Sequence, residues 1–157
     1  MGHTKNDYET PRDFYLRLHD EFRFNLDAAA LPITAKCRQF ITREQNALSQ
    51  VFERKRIWLN PPYNDRQYPI SEWVKWAHIH STVHNSLVVM LIPSATDTAY
   101  WHDYILQSAS EVRNVKGRLH FLLGGEPQTG PRGCHSVIVF RPGVHGAQLS
   151  SMEARLL

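Results

Sequence analysis

A run of four residues, Asn60-Pro61-Pro62-Tyr63, combines polar, rigid and aromatic groups that suit chemistry on a planar amino group. Each proline fixes its own φ and pushes the residue before it into extended geometry, so the run predicts a stiff loop. Such a loop can aim the Asn60 side-chain oxygen and the Pro61 carbonyl at the two hydrogens of one exocyclic NH2 group. Two acceptors there favour the pyramidal, reactive form of an amine whose lone pair is otherwise delocalised. The Tyr63 ring offers a surface on which a heteroaromatic base can stack.

The loop needs a rigid element before it, and the apolar run Ile57-Trp58-Leu59 predicts a strand that ends at Asn60. A second short strand, 24–26, ends on the acidic Asp27. The continuous apolar run 87–92 predicts a central strand buried on both faces. Because open α/β sheets place ligands at the carboxyl ends of neighbouring strands, Asp27 and Asn60 are expected at one edge.

Helices and strands alternate along the rest of the chain, which is typical of an α/β fold with helices on both faces of its sheet. Apolar spacing predicts helices over 13–22, 70–83 and 98–108, the first after Pro11, and strands over 111–115, 118–123 and 136–140. No pattern decides the structure of 32–50 or 143–157, and 124–133 is predicted to be a loop.

Composition limits the classes of function without choosing among them. The 157 residues are 42% hydrophobic, which suits one globular domain with a sizeable core. A formal charge of +3 permits a polyanionic partner but is also ordinary for a soluble protein. Cys37 and Cys134 form no CxxC pair, so a reduced cytoplasmic setting is favoured over a disulfide or zinc framework. No apolar stretch approaches the roughly 18 residues of a membrane span.

Histidine and tryptophan clusters are assigned structural roles. His80 and His84 stand four apart on the predicted helix 70–83, but no acidic partner follows them, so no metal site is predicted. Most tryptophans lie in apolar periodic segments and are assigned to the core. Trp58 precedes the Asn60 loop and is expected to line a ligand pocket.

Several motifs, in their order along the chain, resemble the small phage DNA N-6-adenine-methyltransferase (Dam) family. The order carries the resemblance, since Asn-Pro-Pro-Tyr also occurs in methyltransferases that modify protein glutamine or RNA. The resemblance covers residues 7–142. The motifs are Asp7-Tyr8-Glu9-Thr10-Pro11, Phe24-Asn25-Leu26-Asp27-Ala28-Ala29, Ala35-Lys36-Cys37, Asn60-Pro61-Pro62-Tyr63, Ile92-Pro93-Ser94-Ala95-Thr96-Asp97-Thr98 and Lys116-Gly117-Arg118-Leu119.

The resemblance implies a single methyltransferase domain over 1–157, with its core over 7–142 and a C-terminal tail over 143–157. The implied fold is a Rossmann-like α/β sheet, mixed, with an antiparallel C-terminal strand. The implied reaction moves a methyl group from S-adenosylmethionine to the N6 amino group of adenine in DNA. Protection of phage DNA from restriction inside an infected bacterial cell is the purpose that the family suggests.

In the implied reaction, Asn60 and Pro61 hold the target amino group, Pro62 stiffens the loop and Tyr63 stacks on the base. No strong base is evident near Asn60, so water or a transient relay is expected to accept the departing proton. N4-methylation of cytosine offers the same two hydrogens and stays open as an alternative. A nucleic-acid-binding module that no longer catalyses is the alternative from another class, which cofactor affinity would discriminate.

A cofactor site is implied as well. Asp27 is expected to accept hydrogen bonds from ribose hydroxyls or the methionine ammonium, and the small Ala28 and Ala29 would let the ligand approach the backbone; a turn cap is the alternative for Asp27. Thr10-Pro11 resembles the family's amino-terminal cofactor segment and also fits a capped helix start. Asn46 stands where related methyltransferases pair an acidic side chain with the cofactor adenine.

No segment of domain size is left for separate target recognition, so loops over 63–69, 96–100 and 124–135 are expected to read neighbouring bases with low specificity. The adenine amino group is hidden in a duplex, so a flipped base or single-stranded DNA is expected. Basic residues near these loops are candidate DNA contacts, although a solvated surface charge is the commoner role of each. They are Arg66, Lys116, Arg118 and Arg132.

Overall fold

The computed structural model describes residues 8–128 and 133–156, and every element named below belongs to that part of the chain. The strands are β1 Leu26–Asp27, β2 Arg56–Leu59, β3 Leu87–Pro93, β4 Glu111–Lys116, β5 Leu122–Leu123, β6 Glu126–Pro127, β7 His135–Phe140 and β8 Gln148–Glu153. The helices are α1 Arg12–Phe22, α2 Ile70–Thr82 and α3 Leu106–Ser108, with a 3-10 turn at Ala47–Ser49 and a π-helical stretch at Trp101–Ile105.

Six strands form one mixed sheet in the order β1-β2-β3-β7-β4-β8. β1, β2 and β3 run parallel, and β8 is parallel to β4. β7 lies antiparallel between β3 and β4. The predicted α/β class and mixed sheet are confirmed, with β7 as the antiparallel strand and the parallel β8 following it at the edge. All strands of this sheet except β7 therefore run in the same direction. Their carboxyl ends lie along one side of the sheet, where β7 begins.

β3 is the central strand that its apolar run predicts, and it is buried on both faces. Val88, Met90 and Ile92 pack into the core on one side of the sheet, while Val89 and Leu91 pack on the other. All five side chains are fully buried. This alternation follows from the two-residue period of a strand.

Helices cover both faces of the sheet. On one face α1 packs Phe14, Leu18 and Phe22, spaced four residues apart, and each such burial contributes about 2 kcal/mol. On the other face α2 packs Trp73 and Ala77 into the core. Buried side chains of the π-helical stretch belong to the same core cluster. The predicted starts of both helices are right to within one residue.

The segment 118–123 differs from its predicted strand. Only Leu122–Leu123 forms one, and it pairs with Glu126–Pro127 in a separate hairpin. The turn between them is Gly124-Gly125, both at positive φ, as tight hairpin turns favour. Leu119 and Phe121 are nevertheless buried on the α1 side, so the apolar pattern marked core contacts rather than strand pairing.

The segment 143–157, whose sequence has no pattern, supplies β8. Five of the six β8 side chains are exposed, so no face had to be apolar, and backbone pairing with β4 holds the strand. The candidate helix 98–108 is π-helical over Trp101–Ile105 before α3. Within 32–50, Phe40 forms a bridge to Asp27 ahead of the 3-10 turn.

His80 is a structural histidine. Its Nε2 accepts a hydrogen bond from the Phe52 backbone N–H at 3.1 Å, and its Nδ1 lies 2.9 Å from the Trp76 carbonyl. Burial lowers the His80 pKa, which keeps the ring neutral. Across the described residues, no group of three histidine, cysteine, aspartate or glutamate side chains lies close enough to hold a metal ion. No helix in that same part of the chain has the length and apolarity that a membrane crossing needs.

Candidate active site

The Asn60-Pro61-Pro62-Tyr63 loop leaves the carboxyl end of β2, between the ends of β1 and β3. Asp27 pairs in register with Trp58, so the β1 carboxylate lies beside the start of the loop. Pro61 is buried, and Asn60 is half-buried. As predicted, Asp27 and Asn60 lie at the carboxyl ends of neighbouring strands.

The Asn60 amide is bonded at both ends. Its Nδ2 donates to the Thr10 hydroxyl at 2.9 Å, and its Oδ1 accepts from the Tyr63 hydroxyl at 2.8 Å. A carbonyl oxygen has two lone pairs, so Oδ1 retains capacity for one more hydrogen bond. The amide is thus fixed in place while its oxygen can still accept.

Tyr63 folds back toward the sheet. Its hydroxyl also lies 2.9 Å from the Leu91 carbonyl oxygen of β3, and its single hydrogen serves that oxygen or Asn60. The Tyr63 ring packs against Phe121 and His135, with ring centroids 6.1 and 5.7 Å away. Burial raises the Tyr63 pKa well above its ordinary value, so the hydroxyl stays protonated and able to donate.

A cavity of about 230 Å³ opens on the β1 side of the loop. It is lined by Asn60 and Pro62 from the loop and by Trp58 from β2, as expected for Trp58. The predicted cofactor residues that line it are Thr10, Asp27, Ala28, Ala29 and Asn46. Pro11 does not line the cavity and is the N-cap residue of α1.

Asp27 is a buried carboxylate that lines the cavity and also closes a turn. Its Oδ2 accepts from the Lys36 backbone N–H at 2.9 Å, and its Oδ1 accepts from the Ala29 N–H at 3.3 Å. The side chain is only 3% exposed. Burial raises its pKa to about 6, and the two backbone hydrogen bonds oppose that rise. The turn-cap role and a ligand-binding role are therefore compatible in this one carboxylate.

Glu9 and Lys36 form an ion pair in the wall of the same cavity. The Lys36 ammonium lies 2.6 Å from the Glu9 carboxylate and 5.9 Å from the centre of the Tyr15 ring. The side chains are 9% and 20% exposed for lysine and glutamate. An ammonium has three donors, so Lys36 retains hydrogen-bonding capacity beyond Glu9.

Asn46 and Trp73 line the cavity farther along. Asn46 adopts the left-handed φ of 54°, and its Oδ1 accepts from the Leu48 N–H at 3.2 Å, which starts the 3-10 turn. The Trp73 indole N–H is buried and has no hydrogen-bond partner in the described part of the chain. A buried unpaired donor is costly, and a ligand acceptor would satisfy it.

An open groove lies on the other side of the loop. Residues from the segment between β2 and α2, the start of α2 and the loop after β3 form its walls. They are Tyr63, Asn64, Asp65, Arg66, Pro69, Ile70, Ser71, Thr98, Ala99 and Tyr100. Two of the loops predicted to read DNA, 63–69 and 96–100, therefore face one another.

Asp65 lines both the cavity and the groove. Its carboxylate accepts from the Arg43 guanidinium at 3.1 and 3.4 Å and from the Gln67 and Tyr68 backbone N–H groups at 3.0 and 3.2 Å. Burial raises the Asp65 pKa, but these hydrogen bonds outweigh it and the net shift is downward. The charged Asp65 connects the segment after the Asn60–Tyr63 loop to Arg43 at the cavity rim.

A profile of the DNA N-6-adenine-methyltransferase (Dam) family matches residues 2–151 of the sequence. The chain belongs to the Dam family. The match covers the Asn60–Tyr63 loop, the cavity and the groove.

Two curated relatives of this Dam-family chain come from bacteriophages. A DNA N-6-adenine-methyltransferase of Haemophilus phage HP1 (strain HP1c1) is 33% identical over 98 residues, or 62% of the chain and 54% of that protein. A DNA N-6-adenine-methyltransferase of Escherichia phage T1 is 34% identical over 107 residues, or 67% of the chain and 42% of that protein. The chain therefore spans about half the length of the curated relatives that it matches.

Three of the four candidate DNA contacts of this Dam-family chain lie within the described residues. Arg66 is exposed in the groove. Lys116 lies at the carboxyl end of β4, 3.7 Å from Glu153. Arg118 lies two residues later in the chain. Burial lowers the His135 pKa to about 4, and the positive charge of Arg118 adds to this decrease. Arg132 lies outside the described residues.

Sequence reasoning missed part of the cavity wall. Glu9 and Lys36 belong to quoted motifs but received no role, and Trp73 was assigned to the hydrophobic core and not to the cavity. Glu9 and Lys36 are 27 positions apart, and no spacing rule links them. The acidic Glu9 beside Thr10 was a signal for a second carboxylate in the pocket wall, in addition to the predicted Asp27.

Proposed function

We propose that this chain transfers the methyl group of S-adenosylmethionine to the N6 amino group of adenine in DNA. The observation that carries the proposal is the position of the Asn60-Pro61-Pro62-Tyr63 loop. Asn60 and Pro62 line the cavity, while Tyr63 lines the more open groove. A methyl donor in the cavity and a base in the groove would meet at Asn60. The names of the phage relatives support adenine over cytosine as the target.

The charges of the cavity suit S-adenosylmethionine, which carries a sulfonium, an ammonium and one carboxylate. Four acidic side chains and two basic ones line the cavity, so its walls are anionic. They are Glu9, Asp27, Glu44 and Asp65 against Lys36 and Arg43. The charged side chains of the cavity therefore fit a ligand with a net positive charge.

We assign the methionine end of the cofactor to the wall formed by Glu9, Asp27 and Lys36. Lys36 would bind the ligand carboxylate with a donor that Glu9 leaves free, and the two acidic side chains would accept from the ligand ammonium. The adenosine end would then lie toward Asn46 and Trp73, where the unpaired indole N–H offers a donor. When bound, the cofactor supplies a methyl group activated by the positive sulfur.

The residues of the loop would prepare the target amine. Asn60 Oδ1, with its remaining lone pair, and the Pro61 carbonyl would accept the two N6 hydrogens and hold the nitrogen lone pair toward the cavity. Direct, in-line transfer needs no covalent enzyme intermediate. His135 is buried beside Tyr63 and its pKa of about 4 keeps it neutral, but no contact links it to Asn60. We therefore assign the departing proton to water.

The groove would take the target nucleotide. A base has to leave the stack for its amino group to reach Asn60, so the substrate would be a flipped adenine or single-stranded DNA. Tyr63 and Tyr100 supply aromatic surface in the groove, and Arg66 supplies a phosphate contact. Tyr63 would stack on the base through the part of its ring that faces the groove.

Residues 1–157 would act as one methyltransferase domain with a Rossmann-like arrangement, to which the segment 143–157 contributes β8 of the main sheet. Cofactor and base sites at the carboxyl ends of parallel strands support this arrangement. Reading of neighbouring bases would come from the loops of the groove. The phage origin of the relatives supports action inside an infected bacterial cell.

Methyl transfer to DNA tests the proposal. The protein is incubated with S-adenosylmethionine carrying a labelled methyl group and with unmethylated duplex or single-stranded DNA, and the DNA is digested to nucleosides. Label in N6-methyl-2′-deoxyadenosine supports the proposal, and label in N4-methyl-2′-deoxycytidine would change the target base to cytosine. Cofactor binding without any transfer would overturn the proposed reaction and favour a silent binding module.

A further inference from the structure

Asn46 lies in the cavity wall, and the turn around it engages every one of its polar groups except the side-chain Nδ2. Its backbone N–H donates to the Thr42 carbonyl at 3.0 Å, and its own carbonyl accepts from the Ser49 N–H at 3.1 Å. Its Oδ1 accepts from the Leu48 N–H at 3.2 Å. Within the described part of the chain, Nδ2 forms no hydrogen bond and is not among the buried polar atoms without a partner. Asn46 therefore keeps one accessible polar group for a ligand.

The orientation of the Asn46 amide is decided by its partner. A backbone N–H can only donate, so the Leu48 N–H binds the oxygen end of the amide and not the NH2 end. The left-handed φ of 54° and the contact two residues ahead suit asparagine and aspartate alike. The two residues differ at the other end of the side chain, where asparagine has a donor and aspartate a second acceptor. Position 46 therefore offers a hydrogen-bond donor.

The neighbours of Asn46 in the wall suit a flat aromatic ring. Ala47 and Trp73 are buried apolar residues that line the same cavity. The flat ring of S-adenosylmethionine is adenine, whose ring nitrogens accept hydrogen bonds. A donor among apolar side chains matches such a nitrogen better than it matches the ribose hydroxyls, which a carboxylate would bind.

We propose that Asn46 Nδ2 donates a hydrogen bond to a ring nitrogen of the cofactor adenine. This inference rests on the proposed function, because it requires S-adenosylmethionine in the cavity, and it adds the chemical group that Asn46 recognises. A carboxylate at position 46 would face that nitrogen with a second acceptor, and the repulsion would weaken binding. Asn46 is thus a specificity-determining residue of the cofactor site.

The test measures binding of S-adenosylhomocysteine, the product of the transfer, by calorimetry. This ligand lacks the sulfonium and has no net charge, so a new carboxylate gains no attraction from it. Asn46→Asp keeps the acceptor for the Leu48 N–H and should raise the dissociation constant by about tenfold, the factor expected for one hydrogen bond. Thermal unfolding shows whether the variant is folded.

Gln45→Glu is the matched control, since it makes the same change from amide to carboxylate one residue away. Gln45 is exposed and does not line the cavity. Its Oε1 accepts from the Thr42 N–H at 2.9 Å, a bond that a glutamate can keep. The control should leave the dissociation constant within about twofold of the wild type.

Analogues of S-adenosylhomocysteine in which a CH group replaces N1, N3 or N7 of adenine identify the acceptor without depending on any one variant. One analogue should bind the wild type about tenfold more weakly than the natural product does. That same analogue should bind Asn46→Asp as tightly as it binds the wild type, because the contact is already lost.

Three outcomes overturn the inference in distinguishable ways. A wild-type protein that does not bind S-adenosylhomocysteine overturns the cofactor assignment of the proposed function, and the role of Asn46 with it. A wild type that binds, with an equal dissociation constant in Asn46→Asp, overturns the role of Asn46 alone. Equal affinity of the wild type for all three analogues would also overturn that role, since no ring nitrogen would then be bound.

Discussion

Asn60 contacts two protein hydroxyl groups within the site, and the proposed reaction adds the substrate amine to these. Thr10 takes its NH2 end and Tyr63 takes one lone pair of its oxygen. An oxygen that is already oriented loses little entropy when the substrate arrives, which is the advantage of preorganised electrostatics. The contribution of Asn60 thus depends on the two neighbours that hold its amide in place.

Asp27 shows how burial changes the chemistry of a single carboxylate. The folded protein binds its proton more tightly than the unfolded chain does, because burial raises the pKa from 3.8 to about 6. The Asp27 contribution to stability is therefore fully present below about pH 4 and is lost as the pH rises through about 6. Charging Asp27 costs folding free energy, and a cationic ligand would offset that cost.

Cofactor binding should accordingly depend on pH through Asp27. We expect the affinity for S-adenosylmethionine to rise as the pH increases through about 6, because only the charged carboxylate attracts the ligand ammonium. Calorimetric titrations between about pH 5 and 7.5 measure this dependence. Asp27→Asn should bind more weakly and lose the rise, and a rise that persists in that variant would exclude Asp27 as its source.

At the scale of elements, the Arg43–Asp65 ion pair joins the cavity rim to the segment that follows the Asn60–Tyr63 loop. Asp65→Ala removes the partner of Arg43 and the acceptor for the Gln67 and Tyr68 N–H groups. Because Asp65 lines both the cavity and the groove, we expect the KM to rise for cofactor and for DNA, each by about tenfold. Initial rates with each substrate varied in turn measure both constants.

The exposed Asp103 in the π-helical stretch provides the matched control, since Asp103→Ala removes the same charge away from both cavities. It should leave both KM values within about twofold of the wild type. A rise in only one constant for Asp65→Ala would show that the loop does not couple the two sites.

Elements with a buried face were predictable from the sequence. β3 is a continuous apolar run, and α1 carries apolar side chains at helical spacing. The bounds of both elements were predicted to within one residue. β8 was not predictable, because it pairs at the edge of the sheet with mostly exposed side chains and its stability comes from backbone hydrogen bonds. Leu119 and Phe121 show the opposite case. Their apolar side chains led to the prediction of a strand, but they are buried outside any strand.

The residues of the site also divide into those that could be predicted from the sequence and those that could not. Asn60 and Tyr63 lie in one contiguous run, so their chemistry could be inferred without any fold. The Lys36 ion pair and the Trp73 indole depend on contacts between distant segments, which a single sequence does not encode at any fixed spacing. The Thr10 contact with Asn60 is of this second kind.

At the scale of the whole molecule, one edge of the sheet carries the cavity, the groove and Arg66. Arg54 lies at the amino end of β2, which is the opposite edge. DNA that approaches the groove should therefore depend on Arg66 and not on Arg54, although both are exposed arginines.

We expect Arg66→Gln to weaken DNA binding by several-fold, with about one fewer counterion released, and Arg54→Gln to leave binding unchanged. Fluorescence anisotropy with a labelled oligonucleotide, repeated at several salt concentrations, measures the affinity and its salt dependence. Equal losses in the two variants would mean that general positive charge, and not the groove, binds DNA.

The most direct test of the account compares wild type and Asn60→Ala in two assays on the same preparations. The cofactor dissociation constant should stay within about twofold, because the variant leaves the Glu9, Asp27 and Lys36 wall intact. The single-turnover rate of methyl transfer to adenine should fall by on the order of 100-fold, since the variant removes an acceptor that acts on the reacting amine. An Asn60→Ala protein that transfers methyl groups at the wild-type rate would contradict the mechanism.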